Sequence, residues 1–126
     1  SQASVDEAVE RIRSETQGTV VQVPQDIQQR AAGSQPGTVQ SVSAEQLVLD
    51  PYEPSAGVAT FTVPAQTPVF VGGKQVSINP VDVLQEGENV MVYFEQGDGG
   101  LPRTIAIARL SDQQAQQLKS AYGATQ

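Results

Sequence analysis

Two pairs of carboxylates have the spacing that invites acid–base chemistry. Asp50 and Glu53 flank Pro51-Tyr52, and Glu86 and Glu88 flank Gly87. The chain has no histidine and no cysteine, so the commonest general base and the strongest nucleophile are both missing. A catalytic carboxylate pair also needs one member in an apolar pocket that raises its pKa. Neither pair has large apolar neighbours in sequence that would build one. Both read as solvated turn charges, and no residue is assigned a catalytic role.

Metal and phosphate chemistry fare no better. A hard cation needs several oxygen ligands close together, and Gly97-Asp98-Gly99-Gly100 supplies one carboxylate. Val71-Gly72-Gly73-Lys74-Gln75 lacks the spacing and the Ser/Thr of a phosphate loop. Both stretches read as hairpin turns, and neither a metal nor a cofactor is expected.

Composition narrows the partners further. The 126 residues carry a formal net charge of -7, and residues 37–71 contain Glu45, Asp50 and Glu53 with no Lys or Arg. A protein that tracks a phosphate backbone needs a basic stripe to displace counterions, so nucleic acid is not an expected partner. An anionic membrane surface is disfavoured for the same reason. No apolar run approaches the ~18 residues of a membrane span, and no stretch has the order of a secretory signal. The absence of cysteine leaves the compartment undecided.

The elements that would position any functional surface are mostly strands. Gly37–Val42, Gln46–Leu49, Val58–Val63, Asn89–Phe94 and Thr104–Ala108 are β-prone runs. Val69-Phe70-Val71 and Gln75–Ile78 form a hairpin across Gly72-Gly73. Val39 and Val42 are three apart, which predicts a bulge near Gln40-Ser41. Alternation turns Leu47, Leu49, Phe61, Val63, Val90, Val92 and Phe94 inward, with Ile105 and Ile107 completing the core. Pro80 to Glu86, opened by Asn79-Pro80 and closed by Gly87, is a short helical cover. Gly33 to Gly37 reads as a linker.

Helices flank this block. Ser4-Val5-Asp6-Glu7 has the form of a capping box, and Val5, Ala8, Val9 and Ile12 share one helical face, predicting a helix from Val5 to Glu15 ended by Gly18. Thr19–Val23 is a short β run stopped by Pro24, and a short helix follows with Ile27, Ala31 and Ala32 as its apolar face. Ser111-Asp112-Gln113-Gln114 is a second capping box. It opens a helix to about Tyr122, with Ala115, Leu118 and Tyr122 as its apolar face and a frayed end after it. The expected division is therefore 1–36 as an N-terminal segment packing on the barrel, 37–110 as the barrel, and 111–126 as the C-terminal helix.

The order of Gly37-Thr38-Val39, Leu47-Val48-Leu49, Phe61-Thr62-Val63, Thr67 and then Leu84-Gln85-Glu86-Gly87-Glu88-Asn89-Val90-Met91-Val92 resembles a group of small bacterial cell-envelope barrel domains. Such domains are similar to the OB fold, a five-stranded barrel with a helix before its fourth strand. The resemblance implies a mainly β chain with a five- to six-stranded OB-like barrel and an exported, periplasmic or envelope location. Chemistry is not implied by it. The outline is also similar to periplasmic copper-chaperone barrels, which take Cu(I) through Met, His and Trp. This chain has no His, no Trp and one Met, Met91, so that ligand set is missing and copper binding is not expected.

A surface remains. Met91 and Tyr93 on one strand and Thr60 and Thr62 on another point outward, with Tyr52 and Glu53 at the margin in the proline-rich loop Asp50–Gly57. Irregular loops are common sites of function. Two readings stand: an outward face for a protein, peptide or glycan partner, or a face covered by the end helices. The expected function is a non-catalytic binding or accessory domain. The alternative is a structural protein that forms homo-oligomers through the Val5–Glu15 helix.

Overall fold

A computed structural model describes residues 21–123 of the chain. The expected Val5–Glu15 helix, the first two residues of the β run expected at Thr19–Val23, and the last three residues lie outside the described ones. Val21 to Pro24, the described end of that run, has no regular structure.

Seven strands form one sheet: β1 (Gly33–Val42), β2 (Gln46–Pro51), β3 (Ala59–Thr62), β4 (Val69–Val71), β5 (Lys74–Ser77), β6 (Asn89–Glu95) and β7 (Arg103–Arg109). Among the described residues three α-helices accompany them, α1 (Gln25–Arg30), α2 (Pro80–Val83) and α3 (Asp112–Gly123), with one 3-10 turn at Asp98–Gly100. Strands β1, β2 and β3 make an antiparallel meander. β1 also pairs with β6, and β6 with β7. The ring closes where β3 meets β7 in parallel at Thr62 and Arg103, reinforced by the Thr62 N–H donating to the Pro102 carbonyl at 2.9 Å. The result is an OB-like five-stranded barrel with α2 before its fourth ring strand. The β4–β5 hairpin is added outside the ring, β4 running parallel to β7 from Val69 to Val71.

The predicted bulge exists: the β1–β2 register slips between Val39 and Ser41. It keeps Val39 opposite Leu49 and Val42 opposite Leu47, so all four side chains stay on the core face. The linker expectation for Gly33–Gly37 is corrected. Gly33 to Gly37 pairs with β6 from Phe94 to Val90, and the Pro36 carbonyl accepts the Tyr52 N–H at 3.0 Å. Proline is tolerated there because its carbonyl alone is used. The single helical turn expected after Asn79-Pro80 is present, but it ends at Val83 and does not run on to Glu86.

Apolar residues divide into two clusters on either side of the barrel wall. Val39, Leu47, Leu49, Phe61, Val63, Val69, Leu84, Val90, Val92 and Ile107 fill the inside, with the Phe61 and Phe94 rings tilted 5.5 Å apart. On the outside of β6 and β7, Met91, Tyr93, Ala106 and Ala108 are covered by Val23 and Ile27 at α1 and by Ala115 and Leu118 of α3. Ile105 belongs to this outer cluster, not to the barrel interior as expected. The register shift between Tyr93 and Phe94 sends it to the helical side. The second capping box is formed as predicted: the Gln114 N–H donates to Ser111 Oγ at 3.1 Å, and the Ser111 N–H to Gln114 Oε1 at 2.8 Å. Tyr122 is half-buried, and Ala121 is the apolar residue that α3 buries in that turn.

Candidate binding surface

The barrel's outer wall has a flank covered by helices and a flank over which no described helix lies, and four of the six residues singled out from sequence divide between them. Met91 and Tyr93 project outward from β6, as alternation requires. They do not form an exposed patch, because α1 and α3 lie over them and leave them 9% and 8% exposed. The exposed-patch reading of these two residues is therefore corrected to helix cover. Burial pushes the Tyr93 phenol above its ordinary value.

Thr60 and Thr62 lie on the other flank. Thr60 stands opposite Val48, which in turn stands opposite Ser41, and Thr62 stands opposite Gln46. The outward row is thus Ser41–Val48–Thr60, with Thr62–Gln46 beside it. All five are half-buried or exposed, with no helix among the described residues lying over them. Ser41, Gln46 and Val48 are not among the residues that the sequence singles out for the site. Only the register shows that the three strands share one row. At the Thr62 end the face meets a cleft of about 320 Å³ whose lining combines Ala32, Phe94, Leu101 and Pro102 with Glu95 and Gln96. Thr62 Oγ1 is 3.4 Å from the Pro102 carbonyl oxygen, a weak hydrogen bond to that rim.

Tyr52 and Glu53 leave the ring and turn to α3. The Tyr52 hydroxyl donates to Asn89 Oδ1, which also accepts from Thr38 Oγ1 at 3.2 Å. Lys119 Nζ sits 5.3 Å from the centre of the Tyr52 ring, within cation–π range. Burial pushes the Tyr52 phenol up to about 12. Glu53 is exposed, and its charge adds to the burial that raises Tyr122. The start of the Asp50–Gly57 loop is therefore a tie between barrel and helix.

The carboxylate pairs do not converge on a reacting centre. Asp50 is exposed on β2 opposite Thr38. Glu88 accepts the Gln85 N–H at 2.8 Å and lies 2.7 Å from Arg109 Nε. That ion pair is a charge contact, since the Nε–H is not aligned as a hydrogen bond on any acceptor. Glu86 is exposed. Among the described residues no three His, Cys, Asp or Glu side chains come together, and no helix is long and apolar enough to cross a membrane.

No family model matches this chain, and no curated protein matches it. Among solved structures it is similar to the one titled "Crystal structure of Ag(I)CusF", with 16% identity and a TM-score of 0.46. The match covers 63% of this chain and 96% of that one.

Proposed function

We propose that this chain is a non-catalytic binding module, and that its partner is a protein or peptide segment lying across Ser41, Val48, Thr60 and Thr62. One observation carries the reading: the β6–β7 flank is covered by two helices, while on the β1–β2–β3 flank no helix among the described residues lies over a row of small and β-branched side chains beside a cleft. A protein or peptide is preferred to a glycan because the row itself, Ser41, Val48, Thr60 and Thr62, carries no aromatic ring to stack on a sugar, and half-buried Phe94 in the neighbouring cleft packs against Phe61. Phe61, Phe70 and Tyr93 are buried, and Tyr52 is engaged by Asn89 and Lys119. An exported, cell-envelope location and the packing on the barrel of the N-terminal segment, which stops at Ala32 because β1 begins at Gly33, belong to the same proposal, and both rest on the sequence resemblance and patterning.

A photo-crosslinking amino acid placed at Thr60 or Thr62, and at exposed Ser120 of α3 as control, tests the site. One crosslinked protein species from the Thr positions, absent from Ser120, is the expected result in extracts of the source cells. Equal labelling at all three positions, or glycan-array binding insensitive to Thr60→Lys and Thr62→Lys, overturns it.

A further inference from the structure

Closing the barrel removes one sheet edge and leaves another. β3 is at one end of the strand order but pairs with β7. β5 is at the other end, and among the described residues it has β4 on one side and no strand on the other. Apolar exposure gathers on the same hairpin and on α2, which packs against it. Val71, Val76, Ile78 and Val81 are 37%, 46%, 42% and 45% exposed, and Val58 is the one further large hydrophobic exposed among the described residues. Single exposed aliphatics are ordinary, but grouped ones along an open edge mark a contact surface.

Where the described chain begins indicates what covers that surface. The Gln22 side chain lies against the hairpin turn, its Oε1 2.5 Å from where a Cβ on Gly73 would be. The preceding residues therefore start at the tip of the β4–β5 hairpin. They contain the predicted helix whose apolar face is Val5, Ala8, Val9 and Ile12. Residues 16–20 span up to about 17 Å when extended. The four residues of β5 cover only ~13 Å, so the helix can reach the whole edge from where the chain enters.

We infer that the Val5–Ala8–Val9–Ile12 face docks in cis on Val76, Ile78 and Val81, capping the open edge of the sheet. This contact is independent of the partner face on β1–β2–β3. It gives the N-terminal segment a site on its own barrel and makes the β5 edge unavailable to other strands.

The absence of cysteine allows a direct test in the full chain. Val9→Cys or Ile12→Cys is combined with Val81→Cys, and disulfide formation under mild oxidation is compared with the same N-terminal cysteine paired with Ser120→Cys. The expected result is an intrachain disulfide at monomer mass, formed at least tenfold faster than in the control. A disulfide found only between two chains overturns the proposal in favour of a second copy as occupant. Equal rates overturn it in favour of an edge open to an outside partner. Limited trypsin digestion gives an independent readout: cleavage after Arg11 and Arg13 is expected to be at least tenfold faster in Val76→Asp/Val81→Asp than in the parent chain. Unchanged cleavage, with circular dichroism showing an intact barrel, overturns the proposal.

Discussion

Tyr52 donates its hydroxyl hydrogen to Asn89, a residue 37 positions later in the chain. The bond joins the loop after β2 to the first residue of β6, directly beneath α3, and Lys119 of that helix lies on the same ring. A single side chain therefore connects the meander, the closing strands and the C-terminal helix. Tyr52→Phe keeps the packing and loses the bond, and is expected to cost about 1 kcal/mol at neutral pH by urea denaturation.

The same residue sets an alkaline limit. Burial holds its phenol protonated up to about 12 in the folded protein, whereas an exposed tyrosine ionises near ~10. Between those values the unfolded chain binds fewer protons than the folded one, so stability falls as pH rises. Its contribution is fully present below pH ~10 and is lost through the window up to about 12. Tyr93 and Tyr122 are shifted in the same direction, so Tyr52→Phe is expected to flatten the decline without abolishing it. Melting temperatures of the two proteins between pH 8 and 12 check this, and parallel curves would contradict it.

The two flanks are expected to respond differently to truncation. Met91 is buried between β6 and the helices, so Met91→Ala leaves a cavity and should cost about 2–4 kcal/mol. Thr62 is half-exposed with one weak hydrogen bond, so Thr62→Ala should change stability by less than about 0.5 kcal/mol. Chemical denaturation of both variants decides whether Met91 is structural. Similar small effects would return it to the surface.

Much of this was legible in sequence, because strand alternation and capping are local signals. Leu47, Leu49, Phe61, Val90 and Val92 alternate with polar neighbours and fill the barrel, and Ser111 and Gln114 form the cap that their spacing announces. The candidate surface was harder to read. Alternation states that Met91, Tyr93, Thr60 and Thr62 point outward, but not which flank a distant helix will cover. Burial of Met91 and Tyr93 depends on α1 and α3, which come from the two ends of the described chain. The row Ser41–Val48–Thr60 depends on register across three strands, and a bulge in β1 sets part of that register. Gly33–Gly37 was misread as a linker because Pro36 and two glycines are turn residues locally. Pairing with β6 overrode that preference.

Gly37 illustrates how close that pairing is. A Cβ there would lie 2.5 Å from the Asp50 carbonyl oxygen and 2.8 Å from Leu49 Cγ, with backbone on one side and a fully buried leucine on the other. Neither can retreat without opening the β1–β2 ladder at Gly37 and Pro51. Gly37→Ala is expected to destabilise the fold by about 2 kcal/mol through overpacking. Gly57→Ala, where a Cβ meets nothing within 4 Å, is the matched control and should be near neutral in the same thermal melt.

Two arginines on β7 make ion pairs that look alike but should differ in weight. Arg103 meets Glu95 at 2.8 Å with the two side chains 40% and 30% exposed, the kind of surface pair that contributes ~0.2–1 kcal/mol and weakens in salt. Arg109 meets Glu88 and also donates from its guanidinium to the Val83 carbonyl. It thereby holds the end of α2 against the last strand, and its loss leaves that carbonyl without its charged donor. Arg109→Met is expected to cost about 1–2 kcal/mol, more than Arg103→Met, and to lose less of its effect in 1 M salt. Urea titrations of both variants at low and high salt measure the difference. Equal costs that vanish together in salt would reduce Arg109 to another surface charge.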